Sequence, residues 1–240
     1  MEGGGIVHLM LIEPRTNKYF RCTCKPSAEF GKCSNLEHPL KLEWITNSYT
    51  KYIECWALGK YTLKESDIVK HKIKNKVPGR SKYGQLIYDF KYVGSEDSKN
   101  KSMEEIMKSV KYFLGGYFPK NLDAFNAILP IPPTNSKGRT IPFEISNELE
   151  TYGFKNCKNF ISVTDKVIHS SKELKTKPEK IQNLAGKFIA SDSRILEGVT
   201  GILVIDDVYE QGATAEVVLN LINSFAPDLP KYFLSIAYLD

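Results

Sequence analysis

Short, nearly continuous apolar runs in the second half of the chain constrain its fold more than any other feature. The runs are Ala127–Ile131, Phe160–Val163, Gly201–Ile205 and Tyr232–Ala237. Apolar residues at helical spacing lie between or before them, near Met103–Phe118, Ile141–Tyr152 and Ala213–Ala226. Apolar strands that alternate with helices indicate a parallel sheet covered on both faces. We therefore predict a doubly wound α/β domain with a mostly parallel sheet, whose ligands bind at the carboxyl ends of the strands.

The N-terminal part of the chain has a different character. Residues 13–35 are rich in turn-forming residues, and residues 41–58 mix polar and aromatic side chains. A basic run from Lys70 to Lys82 contains Pro78-Gly79, which is typical of a solvated connector. We place a domain boundary here. The prediction is a small, β-rich, cysteine-containing appendage over residues 1–78 and the α/β domain over residues 79–240.

The composition is that of an ordinary globular protein and leaves the class of ligand open. Of the 240 residues, 42% are hydrophobic and 25% are charged, so extended disorder is not expected. The net charge of +5 suits an anionic small ligand as well as nucleic acid. No run approaches the ~18 apolar residues that cross a bilayer, and the first residues lack the basic region of a signal sequence. We therefore expect a cytoplasmic protein that has no membrane partner.

Most of the cysteines cluster in the first quarter of the chain. In a reducing compartment such clustering suggests a metal site before a disulfide. Zn²⁺ could be held tetrahedrally by Cys22, Cys24 and Cys33, with His38 and Cys55 as further candidates. The chain has no Cys-x-x-Cys pair, however, and ordinary reduced thiols account for the same residues. Both interpretations stay open, and we favour the thiols.

One segment carries most of the chemical information. Between Gly201 and Thr214, a strand-like run leads directly into Asp206 and Asp207, and Gly212 and a helix-like segment follow. Adjacent carboxylates at a strand end are costly to bury unless hydroxyl groups or a cation receive them. A glycine allows a tight turn, and the amides at a helix N-terminus favour a phosphate dianion. Taken alone, the two aspartates and the Gly-x-Thr turn are more simply explained by an aspartate that caps a helix. The unbroken run from Ile202 to Tyr209, followed by Gly212 and Thr214, is what favours a ribose-phosphate site.

The segment from Ile202 to Thr214 resembles the phosphoribosyl-pyrophosphate motif of type I phosphoribosyltransferases. It has four apolar residues, two acidic residues, two apolar residues and a short loop that ends Gly-x-Thr. From about Tyr83 to the last residue, the chain is similar to one branch of that family, the competence-protein ComF-like proteins. The similar segments are Tyr83–Tyr92, Ile128–Pro132 and Lys180–Phe188. The resemblance implies the type I phosphoribosyltransferase fold and binding of phosphoribosyl pyrophosphate, or ribose 5-phosphate, with Mg²⁺.

The resemblance also implies roles for individual residues of this segment. Asp206 and Asp207 would hold the ribose hydroxyls, directly or through Mg²⁺. Glu210 stands where many members of the family carry a threonine. Either it would act as a general base, or its presence would indicate that ligand binding is weakened. The residues that cradle the 5-phosphate would be Gln211, Gly212, Ala213 and Thr214.

Five cations outside this segment are implied to contact the pyrophosphate. Lys137 and Arg139 lie in the loop after Ile131 and would face the pyrophosphate. Lys172, Lys175 and Lys177 would belong to a mobile hood over residues 167–180 that closes over the site. The loop departs from the family pattern, because residues 137–143 replace the usual Arg-Gly-Phe-Asn-Gln stretch.

Two functions follow from the resemblance and its departures. The first is an enzyme that transfers the phosphoribosyl group to an unidentified acceptor and releases pyrophosphate. The second is a non-catalytic ribose-phosphate sensor that acts in DNA uptake or processing, with a nucleic-acid or protein partner. A defence-system effector, in which the phosphoribosyltransferase domain modifies a macromolecule or nucleotide, is a further alternative. The basic run from Lys70 to Lys82 suits either phosphate contacts or a solvated linker. The sequence is compatible with a monomer or with an oligomer.

Overall fold

The computed structural model describes residues 40–42, 53–66, 78–117, 122–134, 138–165, 174 and 176–239. The strands are β1 (Leu40–Leu42), β2 (Ile53–Lys60), β3 (Thr62–Leu63), β4 (Gly79–Arg80), β5 (Ala127–Pro130), β6 (Lys155–Asn156), β7 (Ile161–Val163), β8 (Phe188–Ala190), β9 (Ile202–Tyr209) and β10 (Lys231–Tyr238). The α-helices are α1 (Lys82–Tyr92), α2 (Glu96–Tyr112), α3 (Ile141–Glu150), α4 (Lys177–Leu184) and α5 (Ala213–Phe225). Short helical turns occupy Phe113–Tyr117, Leu122–Ala124 and Ser193–Leu196. Within these ranges, no helix combines the length and the apolar character needed to cross a membrane.

Six of the strands form one central sheet in the order β1-β2-β10-β9-β5-β6. Neighbouring strands from β2 to β6 in this order are parallel, and β1 runs antiparallel to β2 at one edge. The carboxyl ends of the parallel strands therefore lie along the same edge of the sheet. The fold class predicted from the sequence, an α/β domain with a mostly parallel sheet, is confirmed.

Helices cover both faces of the sheet. In β9, Leu203 and Ile205 belong to one buried cluster and Ile202 and Val204 belong to another, because side chains alternate between the faces of a strand. The first cluster includes buried residues of α1, α2 and α3, and the second includes buried residues of α4 and α5. Burial on both faces explains why the strands appear in the sequence as continuous apolar runs.

The strands β5 and β9 are neighbours, but the chain leaves them toward opposite faces. From β5 it continues through α3, which packs in the first cluster through Ile145 and Leu149. From β9 it continues through α5, which packs in the second cluster through Val218 and Ile222. In open α/β sheets, a crevice opens beyond the carboxyl ends of two strands whose connections diverge in this way, and ligands bind there.

Three of the four predicted apolar runs form strands of the central sheet, namely β5, β9 and β10. The run Phe160–Val163 differs, because β7 pairs antiparallel with β8 in a separate two-stranded sheet. The apolar character of four residues predicts a strand but does not identify its neighbour. The predicted helices near Ile141–Tyr152 and Ala213–Ala226 correspond to α3 and α5.

The strand β2 brings part of the N-terminal region into the central sheet. It runs parallel to β10, and the Trp56 ring packs 5.7 Å from that of Phe113 and 6.5 Å from that of Tyr232, centroid to centroid. Residues 53–60 thus contribute to the same sheet although they precede the predicted boundary at residues 78–79. Most of the predicted appendage lies outside the described residues, and its separate character stays a prediction.

Helix α1 is fixed against the carboxyl end of β2. The Ser81 hydroxyl accepts a hydrogen bond from the Gly84 N–H at 3.1 Å, and the Ser81 N–H donates to the Tyr61 carbonyl oxygen at 3.0 Å. A Cβ atom at Gly84 would collide with that carbonyl oxygen, so glycine is needed for this close approach. The close contact fixes the start of α1, whose last turn carries Lys91.

Candidate functional site

The strand β9 carries the two predicted carboxylates to the carboxyl edge of the sheet. Ile202–Ile205 are buried, and Asp206 and Asp207 are partly buried. Because successive side chains of a strand point to opposite faces, the two carboxylates have different surroundings. Asp206 borders a pocket in front of the following loop, whereas Asp207 contacts α1.

The Asp207 carboxylate forms an ion pair with α1. Its Oδ2 atom lies 2.5 Å from Nζ of Lys91, and both side chains are partly buried. Burial, the largest single cause, lowers the pKa of Lys91. The charge and hydrogen bond of Asp207, with smaller contributions from Asp206 and Tyr92, raise it, and the net shift is upward. Lys91 is therefore charged and neutralises Asp207 from within the protein.

The Asp206 carboxyl group has a very different protonation equilibrium. Burial, with the charge of Asp207 as the second cause, raises the pKa of Asp206 to about 7. The Asp207 N–H donates a hydrogen bond to Oδ1 of Asp206 at 2.8 Å, and this bond and the Lys91 charge act in the opposite direction without cancelling the shift. Near neutral pH, Asp206 thus exchanges a proton readily. A ligand that favours the carboxylate would release that proton.

The turn that follows β9 ends at Gly212, in the left-handed region with φ +74° and ψ +14°. Helix α5 starts at the next residue, and among the described residues no side chain caps its N-terminus. The residues Gly212 to Ala215 line the pocket. The first N–H groups of a helix carry partial positive charge and lack partners within the helix, so this wall of the pocket favours an anion.

The pocket itself encloses about 90 Å³, which is space for several water-sized groups. Its walls come from α4, from the end of β9 and from the loop that leads into α5. The lining residues are Lys180, Asn183, Leu184, Asp206, Val208, Tyr209, Glu210, Gln211, Gly212, Ala213, Thr214 and Ala215. The structure thus brings the predicted segment around Asp206 and the segment that begins at Lys180 into one pocket.

Two ion pairs join α4 to the elements that form the opposite wall. Nζ of Lys180 lies 3.0 Å from Oε2 of Glu210, in the loop before α5. Nζ of Lys177 lies 2.6 Å from Oε2 of Glu216, in the first turn of α5. The last part of the predicted hood is thus docked against the predicted phosphate loop.

Arg139, which was predicted to face the pyrophosphate, contacts α2 and α3. Its guanidinium donates hydrogen bonds to Glu144 at 3.0 Å, to Glu96 at 2.7 Å and to Asn100 at 2.9 Å. Its Cζ atom lies 5.8 Å from the centroid of the Phe90 ring. Arg139 would have to exchange these contacts before it could bind a pyrophosphate.

Comparison with solved structures shows a distant structural similarity. The chain is similar to the Helicobacter pylori xanthine-guanine-hypoxanthine phosphoribosyltransferase, with 16% identity and a TM-score of 0.33, over 61% of this chain and 88% of that chain. No protein-family model matches the chain. No curated protein matches it either. Similarity at this level does not establish a shared family.

The predicted magnesium site depends on the carboxylates of Asp206 and Asp207. Mg²⁺ prefers six oxygen ligands and is usually held by one or two carboxylates together with water and ligand phosphates. Asp206 borders the pocket and fits this role, whereas Oδ2 of Asp207 is already paired with Lys91. The described residues contain no group of three or more His, Cys, Asp or Glu side chains suited to a metal. These residues therefore fit Mg²⁺ only where a ligand supplies further oxygens.

Several predicted residues lie outside the part of the chain that the structure describes. They are the cations Lys137, Lys172 and Lys175 and the Zn²⁺ candidates Cys22, Cys24, Cys33 and His38. Cys55 is described and is buried in β2. The roles proposed for all of these residues stay predictions.

Two lysines that contact the site carboxylates were not assigned to the site from the sequence. Lys91 pairs with Asp207, and Lys180 pairs with Glu210. Both lysines lie in segments on which the family resemblance depends, and this was the available signal for them. Their partners could not be read from the sequence, because the pairing depends on how α1 and α4 pack against the sheet.

Proposed function

We propose that the pocket in front of Gly212 binds the ribose 5-phosphate group of phosphoribosyl pyrophosphate together with Mg²⁺. The observation that carries this proposal is that a carboxyl group, a helix N-terminus and a buried ammonium meet around one pocket, at Asp206, Gly212 and Lys180. Sugar hydroxyls suit a carboxylate acceptor, and a phosphate suits helix amides and an ammonium. A phosphorylated sugar carries both kinds of group on one small molecule.

The two aspartates would contribute differently. Asp206 borders the pocket, so it would accept hydrogen bonds from the ribose hydroxyls and would hold Mg²⁺ with oxygens of the ligand. Asp207 would join them only if its bond to Lys91 opened. When bound, Mg²⁺ would supply charge neutralisation for a departing pyrophosphate.

As an enzyme, the chain would be a phosphoribosyltransferase of the pentosyltransferase class. In the transfer step the bond between C1 of the ribose and a pyrophosphate oxygen breaks, and the pyrophosphate leaves with the electron pair. The acceptor atom forms a new bond to C1 and loses its proton to a base. Glu210 is suited to receive this proton, because its carboxylate lines the pocket and is partly exposed, although its bond to Lys180 must first open.

A second function, ribose-phosphate sensing without catalysis, is supported by Arg139. This residue already has acidic partners on α2 and α3, and the cation that lines the described pocket is Lys180. A pocket arranged in this way would bind the 5-phosphate more readily than it would stabilise a leaving pyrophosphate. Such a sensor would act in DNA uptake or processing through a nucleic-acid or protein partner.

Calorimetric titration and a pyrophosphate-release assay test both functions. The titrations use phosphoribosyl pyrophosphate and ribose 5-phosphate, with and without Mg²⁺, and the release assay adds nucleobases, amines or ammonia. Wild type is compared with Asp206→Asn. The matched control is Asp192→Asn, because Asp192 pairs with Arg194 at the surface and does not line the pocket.

Each outcome separates the two functions. Binding that Asp206→Asn weakens and Asp192→Asn preserves supports the ribose-phosphate site. Pyrophosphate release that depends on Asp206 supports the enzyme, whereas binding without release favours the sensor. If wild type binds neither ligand, both functions are contradicted.

A further inference from the structure

Lys180 is a buried cation whose counter-ion is largely exposed. Its Nζ atom lies 3.0 Å from Oε2 of Glu210, and 9% of the Lys180 side chain is exposed compared with 48% of the Glu210 side chain. A buried charge is stable only with a partner, whereas a half-exposed carboxylate keeps much of its hydration. Opening this ion pair therefore costs the two side chains different amounts of free energy. Glu210 can turn into solvent at low cost, but Lys180 then needs another anion.

The helix that carries Lys180 is held in place by other contacts. A capping box fixes its start, in which the Thr176 N–H donates to Oε2 of Glu179 at 2.9 Å. One turn before Lys180, Nζ of Lys177 lies 2.6 Å from the buried carboxylate of Glu216. These contacts keep the Lys180 ammonium at the pocket when Glu210 moves away.

Lys180 and the N-terminus of α5 line the same pocket. Gly212 and Thr214 lie on one wall, and Lys180 and Asn183 lie on another. A phosphate in a pocket of about 90 Å³ would meet the helix amides and would also lie near the ammonium. It would then compete directly with the carboxylate of Glu210.

We infer that Lys180 is the cation that binds the phosphate of the ligand, and that Glu210 occupies this cation as an internal competitor until the phosphate arrives. The inference rests on the proposed function and assigns the phosphate contact within it. In the exchange, Lys180 passes from a carboxylate to a phosphate, and Glu210 is released to solvent. Weakly charged anions gain less than a phosphate dianion from an ammonium and a helix N-terminus. Glu210 therefore makes the pocket selective for dianions.

Calorimetric titration with two probes, inorganic phosphate and ribose 5-phosphate, tests this exchange at about pH 8, where a phosphate monoester is a dianion. Lys180→Met should weaken the binding of both probes about tenfold to a hundredfold, because it removes a charge-assisted bond. Glu210→Gln should strengthen the binding of both about fivefold, because a partly exposed ion pair no longer competes. In the Lys180→Met background, Glu210→Gln should change nothing.

The matched control is Lys111→Met. Lys111 forms a comparable ion pair between helices, with Nζ 2.8 Å from Oε1 of Glu148, and it does not line the pocket. This variant should bind both probes as wild type does. The urea midpoint of every variant is measured alongside, so that unfolding is distinguished from lost binding. Glu210→Gln changes a partly exposed side chain and keeps the test valid if Lys180→Met does not fold.

The outcomes separate this inference from the proposed function. If ribose 5-phosphate binding depends on Asp206 but is unchanged in Lys180→Met, or is weakened in Glu210→Gln, the inference is overturned and the proposed function stands. If phosphate binding depends on Lys180 while Asp206→Asn has no effect on ribose 5-phosphate, the inference stands and the ribose site is wrong. If neither probe binds wild type or Glu210→Gln, both are overturned.

Discussion

Replacing Gly212 with alanine should destabilise the protein by about 3 kcal/mol, through two separate effects. The first is the backbone, because φ at Gly212 is +74° and an L-residue there costs about 1 kcal/mol. The second is steric. The new Cβ would lie 2.5 Å from Oη of Tyr209 and 2.8 Å from two atoms of its ring, far inside the usual contact distance of about 3.5–4.0 Å.

The ring of Tyr209 has little freedom to move away. Its centroid lies 5.9 Å from that of Phe233, in an edge-on arrangement, and 6.3 Å from that of Tyr238. Displacing a packed ring costs about 1–3 kcal/mol, which brings the total to the value expected for Gly212→Ala. The same substitution places a methyl group in the lining of the pocket, so phosphate binding should weaken as well.

Gly198→Ala provides a matched control for the backbone effect. Gly198 has φ +73°, but a Cβ atom there would have nothing within 4 Å. This variant should cost about 1 kcal/mol, so the difference of about 2 kcal/mol between the two variants measures the Tyr209 contact. Urea unfolding followed by tryptophan fluorescence gives both values if the slope with urea is unchanged.

A double substitution completes the test. In a Tyr209→Ala background, Gly212→Ala should cost no more than Gly198→Ala does, because the ring that causes the collision is gone. Equal costs for Gly212→Ala and Gly198→Ala in the wild-type background would refute the steric reasoning. Phosphate binding that survives Gly212→Ala unchanged would separate this turn from the ligand site.

Three further predictions concern buried or partly buried charges and thiols. The pKa of Asp206 is raised from 3.8 to about 7, so between these values the native state holds a proton that the unfolded state has lost, and stability should fall as the pH rises through this window. Asp206→Asn should flatten that fall in urea midpoints, and an unchanged slope would contradict the assignment. Lys91→Met should lower the free energy of unfolding by about 1 kcal/mol, because it leaves Asp207 unpaired. Lys108→Met breaks only exposed pairs within a helix, so it should leave the urea midpoint unchanged. Equal effects of the two substitutions would refute the pairing. Burial raises the pKa of the Cys157 thiol to about 11. Mass spectrometry should therefore find this thiol unmodified by iodoacetamide in the native protein and alkylated after denaturation. Rapid labelling of the native protein would show that the thiol is not buried.

The sequence predicted the parts of the fold that depend on local pattern. The continuous apolar runs form β5, β9 and β10, which are buried on both faces. They are apolar throughout because the side chains on both faces of each strand are buried. The turn at Gly212 was also predictable, because a glycine between a strand and a helix marks a backbone conformation that other residues rarely adopt. Asp206 and residues 208–214 line one pocket, whereas Asp207 pairs with Lys91 of α1.

The features that escaped prediction depend on contacts between distant segments. Strand β2 was not recognised, although it contains the apolar run Cys55–Leu58, because the residues before this run mix polar and aromatic side chains. Its place in the central sheet follows from its pairing with β10, which no local pattern encodes. The partners of Lys91 and Lys180 follow from helix packing, which no local pattern encodes. Arg139 is a similar case, because its acidic partner Glu96 lies far away in the sequence.

Because β2 and β10 lie far apart in the sequence, we expect their pairing to complete the sheet late in folding. Residue 53 is the register partner of residue 231, so this ladder closes a loop that spans most of the chain. Long loops are slow to close, because their entropy is lost before the contacts form. During synthesis, the edge of β9 that later receives β10 stays uncovered until β10, which follows β9 along the chain, emerges. The unfinished sheet would then expose backbone donors and acceptors, which could pair with other chains and cause aggregation. Rapid pairing of β10 with β9, or binding of a chaperone, would limit this aggregation.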